Sequence, residues 1–159
     1  MNILVLNPGS STLKFGLFDL SDKGPTAKVL VSGSVASIGT EHSELKISTA
    51  TRKDPVIETI NAKTAAEATE RVISRLRADR DENEKITTRI EAVGFRVVHG
   101  GSQYLEPTRV STSLLEDLGA LADLAPLHIP ADVAALEQVR LLLPNVPLIA
   151  VFDTAFHRT

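Results

Sequence analysis

The sequence predicts an α/β domain built on a mixed β-sheet with flanking helices, and three observations carry that reading. Residues 1–51 hold only strand patterns divided by turn signals, and helical periodicities then alternate with apolar strands. No internal repeat or low-complexity tract interrupts that order. Ile3-Leu4-Val5-Leu6 is a short apolar run of the kind covered on both faces of a sheet. Asn7-Pro8-Gly9-Ser10-Ser11 breaks it with strong turn formers. Leu13, Phe15 and Leu17 then alternate with Lys14, Gly16 and Phe18, the period of two of a strand, and residues 21–25 close it. Residues 28–36 (KVLVSGSVA) and 45–51 (LKISTAT) read as further strands around a polar loop carrying Gly39. The tight turns predict an antiparallel run at one edge of the sheet.

The middle of the chain turns helical. Thr64-Ala65-Ala66-Glu67 has the form of a capping box, and Ala65, Ala68, Val72, Ile73 and Leu76 fall on one face through about Asp79. The charge run at 79–85 (DRDENEK) reads as a solvated loop. Ile90 to His99 (IEAVGFRVVH) returns to strand and ends at Gly100-Gly101. Ser113-Leu114-Leu115-Glu116 reads as a second capping box, with Leu114, Leu115, Leu118 and Leu121 turned inward. Pro130 opens a third helix with Val133, Leu136, Val139 and Leu143 on one stripe, stopped at Pro144-Asn145. Leu148 to Phe152 is another buried strand, followed by Asp153-Thr154.

Composition narrows the function classes. The 159 residues carry 17 Lys+Arg and 20 Asp+Glu, a net charge of −3, so no concentrated basic surface is expected for nucleic acid or an anionic membrane. A hydrophobic fraction of 43% with 23% charged residues fits one globular domain and argues against disorder. The absence of cysteine excludes disulfides and Cys-type zinc sites. The first residues lack the basic region of a signal peptide, and no apolar stretch approaches the roughly 20 residues of a membrane span. A soluble, cytoplasmic protein is therefore expected. The chain stops soon after a buried strand that has no covering helix, so it is read as an N-terminal portion of something longer.

Four motifs carry chemistry. In Asn7-Pro8-Gly9-Ser10-Ser11-Thr12-Leu13-Lys14, Gly9 permits close backbone approach and the hydroxyls and amides converge with one cation, which suits a phosphate. It lacks the Gly-Lys-Ser/Thr run of a Walker loop, and a plain polar hairpin is the alternative. Arg96 lies in an apolar strand, where an unpaired guanidinium is costly to bury, so it should meet a carboxylate or phosphate. A structural ion pair is the alternative there. Val98 shares its strand parity and supplies an apolar wall, which together suit a small charged ligand with a short alkyl tail. Leu127-His128-Ile129-Pro130 feeds a helix N-terminus, which attracts anions, although a hydrogen-bonded loop histidine is the commoner role. Asp153 follows a buried strand at the end where open α/β sheets place ligands. It is read either as orienting a reacting group or holding Mg²⁺ through water, or as a turn or cap residue.

Taken together, NILVLNPGSSTLKFGLFD, RVVHGG, LAPLH and VFDTAFH resemble the acetokinase family, the acetate kinases of the acetate and sugar kinase, Hsp70 and actin superfamily. The resemblance spans essentially the whole chain. It implies an actin-like ATPase, RNase H-like fold of two domains with substrates in the cleft between them. Residues 1–159 would be the N-terminal domain, ending before the second, nucleotide-binding domain. The implied activity is reversible, Mg²⁺-dependent phosphorylation of acetate by ATP, in an enzyme that is a homodimer when intact. By motif position the resemblance assigns Asn7 to Mg²⁺, and Ser10, Thr12 and Lys14 to the nucleotide phosphates. It assigns Arg96 to the substrate carboxylate, Val98 and Leu127 to the walls of the acyl pocket, His128 to the neighbourhood of the transferred phosphoryl, and Asp153 to catalysis. Acetate is already ionised at pH 7, so Asp153 is favoured as an organiser of Mg²⁺ or the reacting groups over a true base.

Two residues depart from the family pattern: Phe95 stands where histidine is usual, and Ile129 where asparagine is usual. Both are expected to make the rim of the site more apolar, and either to loosen the acyl pocket toward a longer carboxylate such as propionate or to reduce activity. A related propionate or butyrate kinase is thus one alternative, and a non-catalytic ligand-binding or interaction domain derived from the family is another. Without the remaining part of the family's site, residues 1–159 alone are expected not to turn over.

Overall fold

A computed structural model of the chain describes residues 1–20, 26–78 and 89–156. Eight strands form one sheet: β1 (Asn2–Pro8), β2 (Leu13–Asp19), β3 (Lys28–Ala36), β4 (Ser43–Thr49), β5 (Val56–Ile60), β6 (Ala92–Val97), β7 (Thr108–Arg109) and β8 (Leu148–Phe152). The helices are α1 (Ala65–Ala78), α2 (Thr112–Ala120), α3 (Ile129–Leu142) and the short α4 (Asp153–Phe156), with a 3₁₀ turn at Ala122–Leu124. The sheet order is β5-β4-β3-β2-β1-β6-β8-β7. β1 through β5 pair antiparallel, as the tight turns require, and β1, β6 and β8 run parallel through helical crossovers. The expected mixed α/β sheet is present, with its antiparallel run at one side.

Strand parity divides the sheet into two faces. Leu4, Leu6, Leu13, Phe15, Leu17, Val93, Phe95, Val97, Ala150 and Phe152 are buried in one core with Val72, Ile73 and Leu76 of α1 and Ala135, Leu136 and Val139 of α3. Residues of the opposite parity are far more open: Val5 is 39% exposed, and a Cβ added at Gly94 would meet nothing within 4 Å. Asn7, Lys14 and Arg96 have this second parity, so the core helices do not bury them.

Several expected boundaries move. β5 and β7 are additional strands, and the strand expected over 45–51 runs from Ser43 to Thr49. The α1 cap forms with one change: Glu67 N–H donates to Thr64 Oγ1 at 3.1 Å, but the Glu67 carboxylate accepts from Lys63 N–H at 2.6 Å rather than from the cap residue itself. The capping box expected at Ser113 is displaced. Ser111 is the N-cap of α2 and accepts from Leu114 N–H at 3.1 Å, while Ser113 Oγ lies 2.8 Å from Ser111 Oγ. α3 begins at Ile129, one residue before Pro130, with His128 at the N-cap and no side-chain cap bond. The expected turn at 21–25 and the charged loop at 79–85 lie outside the described residues.

Candidate anion-binding site

Parallel pairing of β1, β6 and β8 aligns their C-terminal ends, and each end delivers one polar side chain: Asn7, Arg96 and Asp153. Arg96 Nε donates to Asp153 Oδ1 at 2.8 Å and Nη2 to Asp153 Oδ2 at 2.5 Å, a two-point pairing of fork and carboxylate. Arg96 Nη1 donates to Asn7 Oδ1 at 3.0 Å and to the Pro8 carbonyl at 3.4 Å. The hydrogen bond to Asp153 raises the Arg96 pKa, partial burial opposes it, and the Asp153 and Asp132 charges reinforce it. The guanidinium is thus fixed, permanently charged and partly exposed. The structural ion pair, the alternative reading of Arg96, is present, with Asp153 as its carboxylate partner.

Lys14 is the register partner of Asn7 across β1 and β2, so the exposed lysine starts from the same face as the Asn7–Arg96–Asp153 cluster. Between them the turn is closed by Gly9 N–H donating to Thr12 O at 2.7 Å. A Cβ on Gly9 would lie 2.9 Å from Thr12 Oγ1, so the turn needs glycine to hold that hydroxyl close to the backbone.

Three segments are stitched beside this turn. Ile38 N–H donates to Ser11 O at 2.9 Å, and Gly39 N–H to Ala62 O at 3.0 Å. Buried Ser43 donates to the same Ala62 carbonyl or to Ser37 O, each 3.1 Å away, and Gly39 takes φ +94°. Together with the start of α3 these segments enclose a cavity of about 500 Å³. Ser10, Lys63, Leu127, His128 and Asp132 line it. The expected residues therefore fall in two adjoining groups, Asn7, Lys14, Arg96 and Asp153 around the strand ends and Ser10, Leu127 and His128 around the cavity.

Several expectations need correction. Leu127 is 84% exposed, so it borders the cavity as an open lip and not as a packed wall. Phe95 and Ile129 are both 0% exposed and belong to the core, not to the rim. Phe95 neighbours Arg96 on a strand, so its side chain points to the opposite face, and Ile129 is turned inward by the first turn of α3. Neither substitution touches the anion site directly. Val98 contributes a backbone donor, with its N–H 3.4 Å from Asp132 Oδ2. Asp132 was not among the expected site residues; an aspartate in the first turn of a helix reads as an ordinary surface residue, and only packing reveals that it is 3% exposed. Thr154 was also missed, and its Oγ1 accepts from Gly100 N–H at 3.4 Å.

A mixed sheet with a fixed guanidinium and polar side chains at the carboxyl ends of its parallel strands is an α/β domain that carries these groups where open sheets of this class take ligands. The chain belongs to the acetokinase family, whose family model matches residues 2–159. It is 40% identical over 161 residues to the acetate kinase of Acetivibrio thermocellus, an alignment covering 100% of this chain and 39% of that protein. The crystal structure of Porphyromonas gingivalis acetate kinase superposes with a TM-score of 0.82 at 32% identity, covering 98% of this chain and 38% of that one. A propionate kinase from Francisella tularensis gives a TM-score of 0.80 at 31% identity, covering 99% of this chain and 38% of that one. The chain spans about two fifths of the length of these relatives. The fold is accordingly the actin-like ATPase type that the acetate kinases share. Among the described residues, no helix is long and apolar enough to cross a membrane.

Proposed function

We propose that this chain supplies the N-terminal part of the site of a kinase that transfers phosphoryl reversibly between ATP and acetate, with residues 1–159 as one domain of the whole. The observation that carries the reading is the convergence of Asn7, Arg96 and Asp153 at three parallel strand ends. Arg96 receives the substrate carboxylate. Its N–H groups are mostly engaged in the resting arrangement, so an incoming carboxylate gains a two-point contact only by taking one from Asp153, Asn7 or Pro8. Asp153, paired to the same guanidinium, then lies beside the bound substrate, where it orients the reacting groups. Val98 flanks the short alkyl tail, and Leu127 stands at the open lip beyond it.

Lys14, Ser10 and Thr12 face the nucleotide phosphates, and His128 donates toward the transferred phosphoryl. Phosphoryl transfer asks the protein for positioning and charge neutralisation, which this set of cations and donors is suited to give. Among the described residues no group of three acidic, histidine or cysteine side chains gathers as a metal cage. That fits Mg²⁺, which is commonly held by substrate phosphates and one or two protein oxygens. Asn7 Oδ1 is the protein oxygen that would hold it, once released from the hydrogen bond it accepts from Arg96 Nη1 at 3.0 Å, and the ion would supply neutralisation of the phosphate charge. The family resemblance further supports a cytoplasmic, homodimeric intact protein.

The test is acetyl phosphate formation, trapped as the hydroxamate, by the intact polypeptide that carries this chain. Acetate- and ATP-dependent product that Arg96→Ala abolishes supports the reading; full activity in that variant refutes it. A second reading, a preference for propionate, is favoured by the open position of Leu127. Comparing kcat/KM for the two acids separates them, although one methylene is worth only about 1–3 kcal/mol.

A further inference from the structure

Asp132 has no part in the function proposed above, yet it is the one carboxylate sunk into the wall of the cavity among the described residues. It sits in the first turn of α3 and is 3% exposed. Its Oδ2 accepts from Val98 N–H at 3.4 Å, two residues beyond Arg96. This contact ties the exit of β6 to α3, as the Arg96 pair ties β6 to the end of β8. A buried carboxylate held by one long backbone bond is poorly compensated when charged. Burial accordingly raises its pKa from 3.8 to about 6. The Val98 N–H, the neighbouring His128 and Arg96 oppose that rise, and the Asp153 charge adds to it. Lys63, ahead of α1, lines the same cavity, while Glu67 in the first turn of α1 is held by Lys63 N–H.

We propose that Asp132 is a positioning residue of the anion site, holding the Arg96–Val98 segment against α3 and opposing a bound anion by its own charge, so that a proton enters with the substrate. The inference rests on the carboxylate-kinase reading. The proton comes from solvent, rests on an Asp132 oxygen while the anion is bound, and returns to solvent when the anion leaves. No bond of the substrate changes in this step. Arg96, already balanced by Asp153, cannot neutralise a second buried carboxylate and an incoming anion together.

The experiment is the KM for acetate in the intact polypeptide between about pH 5.5 and 8, a range set by the shifted carboxyl and above the ordinary carboxylate region. The wild-type KM is expected to rise about three- to tenfold across that range as Asp132 ionises. Asp132→Asn retains an acceptor for Val98 N–H, and its KM should stay low and flat. Asp132→Ala discards the tie and should lower kcat/KM at every pH. A flat wild-type profile, or an unaltered rise in Asp132→Asn, overturns the proposal. Should Asp132→Asn not fold, a ¹³C titration of the wild-type Asp132 carboxyl with and without inorganic phosphate decides: an upward shift with phosphate supports the coupling and none refutes it. Failure of the intact protein to phosphorylate acetate would sink the functional reading alone, because the same carbon titration still tests Asp132.

Discussion

Replacing Arg96 by lysine keeps the charge and discards the fork. Nε and Nη2 now span both oxygens of Asp153 while Nη1 reaches Asn7 and Pro8. A lysine ammonium is a single point with three donors, so it can rest on Asp153 or on Asn7 but cannot bridge them. The Arg96 and Asp153 side chains are 41% and 35% exposed, which screens their attraction. The stability loss is therefore put at about 1 kcal/mol, and for a domain of this size that lowers Tm by about 2–4 °C. Activity should respond far more. Two-point placement of a carboxylate is worth about 2–4 kcal/mol at the transition state, or about 30- to 900-fold in kcat/KM. Thermal melts of this chain and hydroxamate assays of the intact polypeptide read the two effects separately. A Tm loss above about 10 °C with kcat/KM held within about threefold would make Arg96 a structural residue and refute the reasoning.

Other substitutions probe the frame around the site. Folded Asp132 holds its proton up to about pH 6 against 3.8 when unfolded, so its contribution to stability is lost as pH rises between those values. Asp132→Asn should then be the more stable form at pH 7.5, by on the order of 1–3 kcal/mol, with the gap closing below about pH 4 in denaturant titrations. A Cβ at Gly33 would meet Lys46 O at 2.2 Å and the Phe15 ring at 2.5 Å, whereas one at Gly94 meets open space. Gly33→Ala should cost about 3 kcal/mol in urea unfolding and Gly94→Ala less than about 0.5 kcal/mol. Ser111→Ala should destabilise by about 1 kcal/mol and Ser113→Ala by clearly less, a contrast that checks which serine caps α2.

Local pattern was enough to read most of the architecture. The alternation of Leu13, Phe15 and Leu17 marked a strand whose buried face is the expected one, and the apolar run ending at Phe152 marked a strand that is buried or half-buried along its length. β5 escaped because VIETI follows a charged turn and alternates only weakly, and its exposed Ile57 hides the inward parity of Val56 and Ile60. β7 is two residues long and exists through its pairing with β8, which no local window contains. Ser111 and Ser113 both precede the α2 leucines, and the choice between them follows the backbone, extended at Ser111. The motifs named the polar residues of the site, but not their grouping. That depends on the parallel register of β1, β6 and β8, whose pairings join residues 89 positions apart between β1 and β6 and 55 apart between β6 and β8. Phe95 is the opposite case: its parity against Arg96 puts it on the other face of β6, so the family pattern at this position says nothing about the rim of the site. Asp132 was illegible for a plainer reason, since its burial is made by packing against the end of β6.

The most direct test of the convergence at Arg96 is chemical rescue. With the intact polypeptide, acetyl phosphate formation by Arg96→Ala should fall more than about 100-fold and recover in part when guanidinium ion is added, because Asn7 and Asp153 still frame the vacated position. Guanidinium that leaves the variant inactive while the Asp153→Asn protein keeps wild-type activity would show that these side chains do not act on one anion.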